Sequence, residues 1–170
     1  MNRLHPFDVV VAIRAAGPEA TFADLASELS SAPSQVYKSF ARLSVAGLVR
    51  PGTRSANRLA LLEFLEHGVR YAFPAEIGTE AIGVPTAYSA PDLAAEIDAD
   101  DALVWPDPSA KKAVRGRSVT PLYGGAAKLI DQSPETYRLV ALVDAIRVGR
   151  VRERKLATAY LRKALSNAAA

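Results

Sequence analysis

Apolar residues between positions 21 and 29 repeat with the period of a helix. They occupy positions i, i+3, i+4 and i+7 of one helical face: Phe22, Leu25, Ala26 and Leu29. Thr21 comes just before the first of these apolar residues, and Asp24 comes three residues after Thr21. This spacing lets both side chains cap the first turn of a helix. The pattern therefore predicts a short amphipathic helix that begins after Thr21.

Two further helices are predicted on either side of this one. A first helix is expected over residues 6–16, because proline suits the first helical position and Gly17 is a natural stop. After a turn at residues 30–33, a third helix is expected to continue to about Ala46, where Gly47 ends it. Its inward positions are Val36, Phe40 and Leu43.

The next segment is predicted to be mixed. Residues 48–50 look like the entry to a strand, residues 51–57 are rich in turn formers, and residues 58–66 have a helical pattern. Beyond Gly68, three residues alternate as in a strand: Val69, Tyr71 and Phe73. We interpret Tyr71 and Trp105 as core aromatics, although a small effector pocket would also suit them.

The rest of the chain predicts a mixture of strands and helices. A short helix is expected at residues 92–97 and strands at 102–105 and near 118–120, followed by three helices at 125–131, 134–146 and 150–165. The expected fold class is α+β and mostly α, with an N-terminal helix-turn-helix followed by a mixed α/β domain that ends in helices. We place the domains at residues 1–66 and 67–170.

Helices two and three, joined by a tight turn, would pack together and leave the outer face of the third helix free to enter a DNA major groove. We assign six residues to that face: Ser34, Gln35, Tyr37, Lys38, Ser39 and Arg42. Their side chains are suited to base edges and phosphates, and residues 33–62 contain no acid. Three-helix modules also serve as protein-interaction domains, so this alternative stays open.

This pattern resembles the winged helix-turn-helix of MarR-type bacterial regulators. The resemblance rests on Ser34-Gln35-Val36, then Phe40 and Leu43, then Gly47-Leu48-Val49, and it covers about 45 to 55 residues. It implies a wing that begins at residues 48–50, with Arg50, Arg54 and Arg58 on or beside it. The loop leads straight into a helical segment, so the wing is expected to be short or absent.

Composition excludes several kinds of chemistry. The chain of 170 residues has no cysteine and two histidines, which removes thiolate metal sites and cysteine nucleophiles and makes a histidine-rich site implausible. We recognise no catalytic grouping, metal-binding pattern or cofactor motif in the sequence. We find neither a signal peptide nor a stretch long enough to span a membrane, so a cytoplasmic protein is expected. The net charge of +3 and pI near 9.3 allow nucleic-acid binding.

Charge is distributed unevenly along the chain. Residues 76–107 carry eight acids and no lysine or arginine, whereas residues 147–163 carry seven basic residues and one acid, Glu153. Either the two segments are solvated faces that complement each other, or one of them binds a partner. The basic residues would then add a second phosphate-contacting surface. The apolar stripe at residues 139–146 is expected to be core or, alternatively, a dimer interface.

These patterns predict a sequence-specific, dimeric DNA-binding regulator, most simply a repressor. The rival hypothesis is a protein-interaction module, such as the antitoxin of a toxin–antitoxin pair, whose acidic segment binds a basic partner. We also predict that replacing Lys38 and Arg42 with alanine abolishes specific DNA binding without unfolding the protein.

Overall fold

The N-terminal part of the protein consists of three helices. The structure, a computed structural model, describes residues 3–167. Its first helices are α1 (Pro6–Ala15), α2 (Phe22–Glu28) and α3 (Pro33–Ala46). The Thr21 hydroxyl accepts a hydrogen bond from the Asp24 backbone N–H at 3.1 Å, and Gly47 ends α3 with a φ of 77°. All three predicted helices are confirmed.

Two helices follow where one helix and one strand were expected. Helix α4 (Arg58–His67) matches the prediction, but Val69–Ala72 form a short helix, α5. The alternation of Val69, Tyr71 and Phe73 was misleading, because only Val69 is fully buried and Tyr71 is 72% exposed. The strand prediction and the interpretation of Tyr71 as a core aromatic are therefore wrong.

Three strands form the small sheet of the protein. Strands β1 (Ile77–Pro85), β2 (Leu103–Pro106) and β3 (Val114–Val119) each pair with the other two. The β1–β2 and β1–β3 pairs are antiparallel and the β2–β3 pair is parallel. The expected strand at 102–105 is confirmed by β2, the strand expected near 118–120 overlaps only the last two residues of β3, and β1 was not predicted. The buried Trp105 lies on β2, as expected of a core aromatic.

Helices make up the rest of the C-terminal part. A 3-10 turn at Ala87–Ser89 precedes α6 (Pro91–Ala94), and a second at Ala126–Lys128 precedes α7 (Leu129–Gln132). The two long helices are α8 (Pro134–Val148) and α9 (Val151–Asn167). The described residues therefore form a mostly helical α+β fold, as predicted. Within residues 3–167, no helix has the length and apolar character needed to cross a membrane.

Helix α8 lies inside the protein, and its apolar stripe is core. Residues Leu139 to Ile146 are all buried within the single chain, so the stripe packs in the core and leaves no apolar face of its own for a dimer interface. Asp144 is also fully buried and accepts hydrogen bonds from Thr86 Oγ1 at 2.8 Å, Trp105 Nε1 at 2.6 Å and Arg147 Nη1 at 2.8 Å. Burial raises the pKa of Asp144, and the Arg147 charge opposes that rise. This cluster ties α8 to the strands.

One hydrophobic core runs through both predicted domains. Helix α1 is buried at every position from Asp8 to Ile13, and a helix buried at consecutive positions is enclosed on all sides. Residues of α1, α3, α8 and the sheet belong to the same buried cluster. The core is therefore continuous across the predicted boundary between residues 66 and 67.

Candidate nucleic-acid interface

Helices α2 and α3 pack against each other and expose one side of α3. Leu25 and Leu29 of the α2 segment and Val36 and Leu43 of α3 are buried. The turn between them closes with a 2.8 Å bond from the Ser31 N–H to the Ala26 carbonyl. Because these apolar faces point inward, the opposite side of α3 is left to solvent.

Four of the six side chains assigned to the outer face of α3 are exposed. They are Ser34, Gln35, Tyr37 and Lys38, with Tyr37 62% exposed. Among the described residues, Lys38 forms no ion pair and Gln35 no side-chain hydrogen bond. These groups are therefore able to donate or accept hydrogen bonds with a bound molecule.

Ser39 and Arg42 do not lie on that face, and the expectation that they do is wrong. Both bind the fully buried carboxylate of Asp8 on α1. Ser39 Oγ donates at 2.7 Å, and Arg42 Nε and Nη2 donate at 2.8 and 2.7 Å. The hydrogen bond to Asp8 raises the pKa of Arg42, whose side chain is 15% exposed. The two residues therefore hold α3 against α1.

Asp8 is the residue of this cluster that the sequence reasoning missed. Its Oδ2 also accepts the His5 backbone N–H at 2.8 Å, so the buried carboxylate accepts four hydrogen bonds. One signal was present in the sequence: Asp8 is the one acid in an otherwise apolar run at residues 7–13. A buried acid requires cationic or hydrogen-bonding partners.

The segment after α3 forms a very small β turn-back. A single antiparallel bridge joins Val49 and Ala56, and the Arg50 N–H donates to the Ser55 carbonyl at 2.9 Å. The small size of this turn-back agrees with the expectation of a short or absent wing, and the agreement extends no further than size. The Ala56 N–H also donates to the Ala15 carbonyl at 3.0 Å, which fixes the segment to the end of α1.

The three arginines of this segment differ in their surroundings. Arg50 is exposed, and its side chain forms no ion pair with another described residue. Arg54 donates to the Ala20 carbonyl at 2.7 Å, and Arg58 donates to the Ala16 carbonyl at 2.7 Å. Arg54 and Arg58 are half-buried and brace the loop between α1 and α2, so Arg50 is the arginine best placed to meet a bound molecule.

A cleft of about 240 Å³ separates the exposed face of α3 from the bridge segment. Phe22, Tyr37 and Phe40 form its aromatic wall, with ring centroids 5.6 Å apart in both the Phe22–Tyr37 and Phe22–Phe40 pairs. The guanidinium of Arg54 lies over the Phe22 ring at 5.5 Å, and Arg50 also lines the cleft. The cleft is thus lined by three aromatic rings and two arginines.

The acidic segment at residues 76–107 does not form a metal site. Four of its acids are engaged within the chain: Glu80 pairs with Arg115, Asp92 pairs with Arg138, Glu96 accepts from the Tyr160 hydroxyl, and Asp107 accepts from Ser109. Over residues 3–167, no three acids or histidines converge in a way that would hold a metal ion. The expected complementarity with the basic segment is limited to Glu96, which also accepts at its carbonyl from Arg152 at 3.2 Å.

Comparison of the chain with protein-family models, with curated proteins and with solved structures gave no significant match.

Proposed function

We propose that the protein is a sequence-specific regulator that binds double-stranded DNA through the exposed face of α3. The observation that carries the proposal is the division of α3 into two sides. Asp8 holds Ser39 and Arg42 inward, while Ser34, Gln35 and Lys38 face solvent. An α-helix fits the B-DNA major groove, and glutamine and lysine side chains suit adenine and guanine edges.

The charge around this face supports a polyanionic partner. Residues 33–62 contain no acid, and Asp8 beside them has its charge offset by Arg42. Arg50 lines the cleft beside α3 and Lys38 is exposed on α3 itself, so both would contact phosphates that flank the groove. Arg58 adds positive charge, Arg54 pairs with Glu19 at 3.5 Å, and both hold the bridge segment in place.

The proposal includes a homodimer and a role in repression. A single module of this size contacts few base pairs, and two copies related by a two-fold axis would place their α3 helices one DNA turn, about 34 Å, apart. Sedimentation analysis of the protein with and without duplex tests this part. A complex of two chains per duplex is the expected result, and one chain per duplex would contradict the dimer.

The first experiment is a fluorescence-anisotropy titration with duplex from upstream of the protein's own reading frame and with a scrambled duplex, at two salt concentrations. The test variant is Gln35→Ala with Lys38→Ala. We expect it to weaken upstream-duplex binding by about tenfold or more, since a side-chain contact to a base edge is worth ~1–3 kcal/mol. The matched control, Lys111→Ala with Lys112→Ala, removes two exposed lysines between β2 and β3.

Equal affinity of the wild-type protein for both duplexes would contradict sequence-specific binding. Equal affinity of the test variant and the control variant for the upstream duplex would contradict the assignment of the α3 face.

A second candidate function is the neutralisation of a basic partner protein, as proposed for an antitoxin. Asp98, Asp100 and Asp101 favour it, because all three are exposed and their side chains form no hydrogen bond or ion pair within the described chain. Co-expression with the product of the adjacent reading frame tests it. The product of the adjacent reading frame would be expected to stop growth when it is expressed alone. Restored growth with the wild-type protein, but not with the variant in which asparagine replaces the three aspartates, would support this candidate.

A further inference from the structure

A second positively charged groove lies on the side of the protein formed by α4, α5 and α9. It has a volume of about 480 Å³. Four cationic side chains line it: Arg70, Arg154, Lys155 and Arg162. Tyr71 stands among them, 72% exposed, and we call this surface the basic groove.

The positive charge of the basic groove is largely uncompensated. Glu66 is the one acid that lines it, and it accepts from Arg162 Nη2 at 2.5 Å, a bond that lowers the pKa of Glu66. Neither Arg70 nor Lys155 forms an ion pair within the described residues. Arg70 instead lies over the Tyr71 ring at 4.9 Å, a cation–π contact that leaves its charge uncompensated by an acid.

The basic groove is linked to the proposed DNA-reading face by α4. Arg50 lines the cleft beside α3 and also a cleft of about 510 Å³ at the start of α4, where Arg58 joins it. Helix α4 has 10 residues and lines the basic groove at its other end. At 1.5 Å per residue it spans about 15 Å, or about four to five base-pair steps of 3.4 Å.

We propose that the basic groove binds the phosphate backbone of the same duplex, beyond the segment that α3 contacts. This inference rests on the proposed function and extends it from a single helix face to a longer track. Guanidinium and ammonium groups with a tyrosine hydroxyl are the donors that proteins use for phosphate oxygens. A duplex is the favoured occupant, because Arg70 and Lys155 pair with no acid of the described residues and a phosphate backbone would neutralise both charges.

The test measures how the affinity for a 40-bp duplex from upstream of the reading frame depends on salt, and it compares the wild-type protein with two variants. The groove variant is Arg70→Ala with Lys155→Ala, and the matched control is Lys111→Ala with Lys112→Ala. Each lost phosphate contact reduces the magnitude of the negative slope of log Kobs against log[salt] by about 0.9. The groove variant loses two contacts per chain, so we expect the magnitude to fall by about 1.8 for each bound chain and by about 3.6 for the proposed dimer, while the control keeps the wild-type slope.

The outcomes separate this inference from the proposed function. A wild-type slope for the groove variant, with weakened binding by the Gln35→Ala/Lys38→Ala variant, would overturn the groove and leave the α3 assignment standing. Suppose instead that the Gln35→Ala/Lys38→Ala variant binds as tightly as the wild-type protein and the groove variant has a reduced slope. That result would support the basic groove and overturn the assignment of the exposed α3 face. If the wild-type protein binds no duplex but binds polyglutamate, and the groove variant does not, the groove is a protein site and the phosphate proposal is wrong.

Discussion

Removal of the Asp8 carboxylate tests the account of how α3 is held. In the Asp8→Ala variant, Ser39 Oγ, the His5 N–H and two donors of Arg42 lose their acceptor. Breaking a buried ion pair on one side costs about 3–5 kcal/mol. The Arg42 side chain is 15% exposed and can reach water, so we expect a value near the lower end, about 3 kcal/mol.

Urea unfolding measures this loss directly. Trp105 is the one tryptophan of the chain and is buried, so its fluorescence reports unfolding of the core. The midpoint should fall with an unchanged m-value, and the melting temperature should drop by about 6–12 °C for a chain of this length. The matched control is Asp92→Ala, which breaks the more exposed pair with Arg138 at 2.8 Å and should cost about 1 kcal/mol or less.

Equal destabilisation by Asp8→Ala and Asp92→Ala would refute the reasoning, because it would mean that the Asp8 cluster is worth no more than an exposed ion pair. A double-mutant cycle adds a second check. Once Asp8 is alanine, Arg42→Ala should cost much less than it does in the wild-type protein. The same geometry changes the prediction made from the sequence: a variant with both Lys38 and Arg42 replaced is expected to lose stability as well as DNA binding.

Three further variants test other features of the fold. Gly47→Ala should cost about 1 kcal/mol in the same urea assay, because alanine is strained at a φ of 77°, and no change would contradict the left-handed cap. Gly83→Ala should disrupt the sheet, seen as a lower melting temperature, because its Cβ would lie 1.8 Å from the Trp105 carbonyl oxygen. Burial raises the pKa of Tyr137 to about 12, so stability should be complete below pH 10 and decline as pH rises from 10 to 12. Tyr137→Phe should make that decline in stability less steep. An unchanged dependence of the free energy of unfolding on pH between 10 and 12 would contradict the role given to Tyr137.

Local signals made the N-terminal helices predictable. Thr21 and Asp24 cap α2, Pro33 opens α3 and Gly47 closes it, and each of these devices acts within a few residues of the helix end. Strand β1 lacked such a signal. Glycine, threonine and glutamate interrupt its pattern, and its exposed middle is held by pairing with β3, more than 30 residues away.

The candidate site was predictable only in part for the same reason. The exposed positions of α3 follow from helical periodicity, which requires no knowledge of the rest of the chain. The inward turn of Ser39 and Arg42 depends on Asp8, which lies 31 and 34 residues earlier in the sequence. Periodicity gives the side of a helix that faces the core, but the core position of a charged side chain depends on its distant partner.

The enclosure of α1 has a consequence for the divergence of this protein. A helix that packs against its neighbours on every side couples the substitutions tolerated on one side to those on the other. The first 66 residues therefore cannot be exchanged as a cassette, since grafting them onto another chain would leave the α8-facing side of α1 bare. Recombination at that point would be selected against, whereas the solvent-facing positions of α3 can change without disturbing the core.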